Sequence, residues 1–332
     1  MTKLNIGIVG MGFIADYHYR GFSANPDAKV VGMTQDFYGD TNKIERMKVQ
    51  LNNKCAEWNI KAYKNYDEMV QDKDIDALII GSINPYHFEQ IKKGFENNKH
   101  LLVEKPVVTD FSHLKKIKEL FTNSKLKLFP GHNFIYRNAV IKAKEIIEAG
   151  KLGKIIQGSF IVTHTISEAH AKGWRSKKEL SAGGALMDSG HHVVYQSLYL
   201  LGKPVKLQAF TSKMVLTQMD GEDTAQINLL YKDNSMGLIM QSWASNYNRD
   251  INGFRIFGDK GELAITDALY FNGKKIDSDV DFGNSFVNQA KAFTEYILYD
   301  KKPLSTLEDV ENCLKIIFGA YESAEKNVVL DL

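Results

Sequence analysis

The sequence predicts an α/β part followed by an α+β part. Residues 1–128 read as a doubly wound parallel sheet, and residues 129–332 as a mostly antiparallel open sheet with helices on one face. Short aliphatic runs alternate with longer amphipathic stretches through the first part, and that order implies parallel pairing through right-handed crossovers. Beyond Gly131 the apolar period becomes two, in runs joined by tight turns, as in antiparallel meanders. A chain of 332 residues suits two ordinary domains.

In the first part, "LNIGIVG", "KVVGMT", "DALIIGS" and "HLLVEKP" have the length and aliphatic content of strands buried on both faces. Between them, "TNKIERMKVQLNNKCAEWN", "YHFEQIKKGFENN" and "SHLKKIKELFTNS" have helical spacing with polar outer faces. The first strand runs into "GMGFIA", a glycine fingerprint placed between strand and helix as in a Rossmann dinucleotide site. Gly10 permits the tight turn, Gly12 lets the backbone approach a pyrophosphate, and Ala15 lets the helix pack closely; Phe13 and Ile14 complete the turn. About 20 residues on, "GMTQDFYGD" offers either Gln35 or Asp36 at the strand tip. Asp36 there repels a 2′-phosphate and favours NAD; Gln35 there leaves NADP open.

In the second part, "VIKAKEIIEAGKLGK" reads as a helix stopped near Gly150, and "KIIQGSFIVTHT" opens a run of strands. Two strands turn at Asp233 to Ser235, and another pair turns at Asp259 to Gly261. Ahead of both turns lies "GGALMDSGHHVVYQSLYLLG", which delivers Asp188, His191 and His192 to the start of an apolar helix. Asp188 and His192 are four apart, which in a helix puts both on one side. A carboxylate beside an imidazole fixes its tautomer, and the imidazole can take a proton from an alcohol. The Gly183–Gly184 pair reads as backbone passing close to a cleft. Upstream, Trp174 and Arg175 offer an aromatic face and a donor fork for hydroxylated rings, and His164 could reach the same region. No further ligand is spaced for a metal beside Asp188, His191 and His192, so no metal is expected.

Composition narrows the classes. Lys and Arg number 42 against 40 Asp and Glu, a surplus too small to suggest a nucleic-acid partner. No apolar run approaches the ~20 residues of a membrane helix, and the first residues lack a charged-then-apolar signal pattern, so a soluble, intracellular protein is expected. Cys55 and Cys313 lie far apart, without metal spacing, as suits a reducing cytoplasm.

"GMGFIA", "GSINPYHFEQ", "LLVEKP", an Arg near the crossover, "GGALMDSGHH" and "FRIFGDKGEL", in this order, resemble the Gfo/Idh/MocA oxidoreductase family. The resemblance implies NAD or NADP as cofactor and a sugar or cyclitol as substrate. It implies that Lys105, with Glu104, sits beside the nicotinamide and the reacting hydroxyl. Asp188 and His192 match the family's Asp and His, while Asn84 and His87 match its cofactor-side turn, where Ser82 replaces the usual Thr and Ile83 the usual Pro. Tyr195 stands where Asp or Asn is common and is expected to face substrate; Arg137 is expected either to bind substrate or to tie the two domains together. A homodimer or homotetramer through the open sheet face is also implied. The expected function is hydride transfer at Lys105, Asp188 and His192. The alternatives are a glycosidase or epimerase with tightly bound NAD, or a non-catalytic nucleotide-binding sensor.

Overall fold

The computed structural model describes residues 3–246 and 250–332, which divide into two compact units. The first comprises residues 1–133 and 283–307; the second, 134–282 and 308–332.

The first unit alternates strands and helices as the aliphatic runs require. In chain order they are β1 (Leu4–Val9), α1 (Phe13–Ser23), β2 (Ala28–Thr34), α2 (Thr41–Trp58), β3 (Lys61–Ala62), α3 (Tyr66–Gln71), β4 (Ala77–Ile80), α4 (Asn84–Glu96), β5 (His100–Glu104), α5 (Phe111–Phe121) and β6 (Leu128–Gly131). The six strands form one parallel sheet in the order β3-β2-β1-β4-β5-β6. Leu78, Ile79 and Ile80 of β4 and Leu101, Leu102 and Val103 of β5 are all fully buried, as expected of strands covered on both faces. Helix starts follow local chemistry. Asp40, Asn65 and Asp110 cap α2, α3 and α5 by accepting backbone N–H bonds.

The segment returning to this unit, residues 283–307, lies mostly in a helix that packs on α1. The Asn25 amide donates to Thr294 Oγ1 at 2.9 Å, and Phe22 meets Phe293 edge-on. A Cβ on Gly21 would lie 2.7 Å from the Phe286 carbonyl, so glycine is what allows this approach.

The second unit adds α6 (Asn138–Glu148), β7 (Ile155–Thr163), α7 (Glu168–Lys172), α8 (Lys178–Ser181), α9 (Ser189–Leu201), β8 (Lys206–Ser212), β9 (Thr224–Leu230), β10 (Met236–Ser242), β11 (Gly253–Gly258), β12 (Glu262–Ile265), β13 (Leu269–Phe271) and β14 (Lys274–Asp277). Helix α10 (Phe282–Tyr299) is the one returned to the first unit, and α11 (Leu307–Lys326) and β15 (Leu330–Asp331) close the chain. Nine strands run β14-β13-β12-β11-β7-β10-β9-β8-β15, antiparallel except for β7 beside β10. Strand β9 shows how the sheet acquires two faces: Ala225, Ile227 and Leu229 are buried while Gln226 and Asn228 are exposed. Helix α9 covers the buried face so closely that a Cβ on Gly158 of β7 would meet Leu201 at 2.7 Å.

Burial also sets an acid limit on the first unit. His132 is fully buried, with Nδ1 2.7 Å from Ser305 Oγ, and burial, helped by the Lys105 charge, pushes its pKa down to about 3. The unfolded chain, with histidine near ~6.5, therefore binds protons before the folded chain does. The stabilising contribution is complete above that value and is lost as pH falls from it toward 3. At pH 5 the loss is about 2 kcal/mol from this residue alone. Urea unfolding at pH 7 and pH 5 should show a smaller drop for His132→Asn than for the parent. Equal drops would remove His132 from the account.

Candidate functional site

Within the first unit the glycine turn is shaped for a phosphate. Gly10 has φ +100°, and a Cβ there would lie 2.5 Å from the Gly81 carbonyl, so only glycine fits where the tips of β1 and β4 converge. Gly12 is different: a Cβ there would meet nothing within 4 Å. The open space lies at the N-terminus of α1, where Gly12 is the N-cap without a side-chain capping bond. Unsatisfied N–H groups and the helix dipole favour a diphosphate at such a place. Ala15 is buried against the sheet, Ile14 is half-buried, and Phe13 stands 71% exposed beside the turn. The residues present therefore fit a dinucleotide.

At the tip of β2, Gln35 and Asp36 take different partners. Gln35 Oε1 accepts the Met11 N–H at 2.8 Å, so its side chain props the glycine turn. Asp36 directs its carboxylate to Gln90, whose amide donates to Oδ2 at 2.8 Å. Burial raises the Asp36 pKa, and the Gln90 bond opposes that rise. The Ser82 hydroxyl also goes to Gln90, donating to Oε1 at 2.5 Å.

The remaining first-unit candidates brace two loops. His87 lies in α4, 1% exposed, with Nδ1 and Nε2 each 3.0 Å from a carbonyl oxygen, those of Pro106 and Ser82. It ties the turn after β4 to the loop after β5, and burial lowers its pKa against the pull of those carbonyls. Asn84 is half-buried at the first position of α4. Glu104 is buried and accepts from His18 Nε2 at 2.8 Å, which fixes the end of β5 from beneath. Lys105, the next residue, is half-buried.

In the second unit, His192 is held by its own neighbours. Its Nδ1 lies 2.8 Å from Tyr195 Oη, and that oxygen also accepts the Phe134 N–H at 3.0 Å. The imidazole stacks on the Phe134 ring at 4.5 Å between centroids, and the Arg137 guanidinium lies 3.9 Å from the centroid of the same ring. Tyr195 is 2% exposed, so its hydroxyl serves this cluster from within the core. Burial lowers the Arg137 pKa, with Tyr195, Asp281 and Asp279 opposing.

Asp188 stands just before the first turn of α9. It is the N-cap, with φ −86° and ψ −83°, and makes no side-chain capping bond. Its carboxylate accepts from Arg175 Nε, and the Arg175 guanidinium lies 4.4 Å from the centroid of the Trp174 ring. His164 is near enough that the Asp188 charge raises its pKa, although burial lowers it more. His191 is fully buried in the core.

The glycine pair before α9 packs closely on its surroundings. A Cβ on Gly183 would lie 2.2 Å from Tyr321 Oη, and one on Gly184 would lie 1.9 Å from the Glu222 carbonyl. The buried Glu222 carboxylate accepts the N–H groups of Gly184 at 3.0 Å and Leu186 at 2.8 Å. Burial raises the pKa of that carboxyl against those bonds. These glycines let the segment seat on a buried carboxylate. Neither Glu222 nor Gln90 stands out in the sequence, because an acid or amide among ordinary helix and loop residues carries no periodic signal.

Residues 4–132 match the family model described as oxidoreductase family, NAD-binding Rossmann fold. Residues 140–264 match the GFO/IDH/MocA C-terminal domain. Myo-inositol 2-dehydrogenase of Thermotoga maritima is 24% identical over 340 residues, covering 97% of each chain. Several other curated oxidoreductases match over about half their length. Among solved structures, levoglucosan dehydrogenase in complex with NADH superposes with a TM-score of 0.86 at 19% identity, over 99% of both chains. Aldose–aldose oxidoreductase from Caulobacter crescentus, complexed with glycerol, gives 0.86 at 21% identity, over 99% of this chain and 100% of that one.

Proposed function

Because the chain belongs to the Gfo/Idh/MocA family of NAD-binding oxidoreductases, we propose that it is a dehydrogenase of a sugar or cyclitol. The observation that carries this reading is His192 braced by Tyr195 and Phe134 in a chain with an NAD-binding fold. NAD, when bound, supplies the hydride acceptor for the substrate's CH–OH carbon.

The protein's own residues handle the proton. In the neutral tautomer with hydrogen on Nδ1, His192 donates to Tyr195 Oη, which has a second lone pair for the Phe134 N–H. Nε2 is then the base for the substrate hydroxyl, and the imidazolium formed keeps its Nδ1 bond. The Phe134 ring accommodates that cation on its face. We assign Lys105 to stabilising alkoxide character, with Glu104 and the His18 pair fixing the strand end that carries it. Asp188, Arg175 and Trp174 are assigned to the substrate's other hydroxyls, with His164 beside them. Arg137 is assigned to the Phe134 stack and Tyr195 to orienting the base. The exposed outer face of the nine-stranded sheet, with Phe210 and Met236 more than half exposed, is assigned to a homodimer or homotetramer.

The test is a screen of sugars, cyclitols and their keto forms with NAD and NADP, read by nicotinamide absorbance. Net reduction of NAD with a free sugar or cyclitol supports the dehydrogenase. Product release from a glycoside without accumulation of NADH assigns the chain instead to transient oxidation. Nucleotide binding without turnover of any member makes it a sensor.

A further inference from the structure

We propose that Gln90 is a specificity-determining residue for the cofactor, acting by holding the Asp36 carboxylate in the posture that accepts a ribose and rejects a 2′-phosphate. The proposal rests on the reading of Asp36 as the ribose-binding acid.

Gln90 lies on α4 and is 5% exposed, so its amide must be satisfied inside the protein. Its two ends are engaged differently. Nε2 donates to Asp36 Oδ2 at 2.8 Å, and Oε1 accepts the Ser82 hydroxyl proton at 2.5 Å. The first bond gives the amide its direction. Turned over, it would set Oε1 against a carboxylate that can only accept. Ser82 holds the other end, and Gln90 fixes one oxygen of Asp36.

The fixed oxygen matters for both ligands. A carboxylate with Oδ2 engaged presents Oδ1 to incoming donors, and ribose hydroxyls are donors. The same charge, unable to turn away, faces a 2′-phosphate as like against like. A carboxylate freed from Gln90 could rotate, losing order toward NAD and easing repulsion toward NADP. Burial already raises the Asp36 pKa, so losing the amide also favours the neutral acid, which repels phosphate less. The backbone of Gln90 is engaged separately. Its carbonyl accepts from the Tyr66 hydroxyl at 2.6 Å, a bond that side-chain replacement leaves in place.

The experiment is equilibrium titration with NADH and NADPH, followed by fluorescence, for the parent, Gln90→Leu, Asp36→Ala and the double variant. Gln90→Leu should weaken NADH about three- to tenfold, the worth of one ordinary hydrogen bond because the effect on the ligand is indirect, and narrow the preference over NADPH by at least as much. In the Asp36→Ala background the same change should have no further effect. Parent-like affinity and preference in Gln90→Leu would overturn the proposal, and so would an undiminished effect in that background. Asp36→Ala with unchanged preference would bring down the ribose reading and the proposal together, a result distinct from an inert Gln90→Leu. Gln90→Glu keeps the shape, replaces the donor by an acceptor, and settles the matter if the leucine variant does not fold.

Discussion

Replacing His192 with Ala is expected to lower turnover by about 10²- to 10⁴-fold, the usual worth of a positioned general base, while NADH affinity measured by fluorescence stays at the parent value. Binding is spared because the nucleotide turn at Gly10 and Gly12 belongs to the first unit and His192 to the second. Tyr195→Phe provides the companion measurement. It keeps the ring that packs in the core but removes the oxygen 2.8 Å from Nδ1. Without that acceptor the imidazolium is less stable and the tautomer with Nδ1–H is less populated. Turnover should fall about three- to tenfold, and the acidic limb of its pH profile should move to lower pH. Full turnover in His192→Ala would remove the base. A large loss there with an unmoved profile in Tyr195→Phe would keep the base and remove its orienter.

The second large effect is on folding. Gly184→Ala should destabilise the protein by at least about 3 kcal/mol, or prevent folding, when unfolding is followed in urea. The new Cβ would stand 1.9 Å from the Glu222 carbonyl oxygen and 2.5 Å from its nitrogen, and neither backbone atom can move aside as a side-chain tip would. Shifting the segment between α8 and α9 would also strain the bonds from Gly184 and Leu186 N–H to the buried Glu222 carboxylate. A soluble Gly184→Ala protein with parental stability would contradict this packing. By contrast, alanine at Gly12 meets open space within the protein, so that variant should fold and report on cofactor binding alone.

The strand–helix alternation was legible because buried parallel strands must be aliphatic throughout and their crossover helices must be amphipathic. The period-two runs disclosed the second sheet for a similar reason: one face is covered and one is not. The glycine turn was legible too, since φ +100° at Gly10 and a carbonyl 2.5 Å from its Cβ position exclude other residues. Asp188, His192 and Tyr195 were visible as chemistry but not as geometry. Spacing along a helix gave no sign of the partners that fix them, Arg175 for Asp188 and Tyr195 for His192 Nδ1.

The sequence by itself determined the two kinds of sheet, the nucleotide turn and the candidates for moving a proton. These follow from local periodicity and from residue types that have few substitutes. Tertiary structure alone decided that residues 283–307 return to the first unit, that Gln90 reaches Asp36, and that Glu222 receives the glycine segment. Each of these joins residues distant along the chain, where direction and register in space, rather than composition, select the partner.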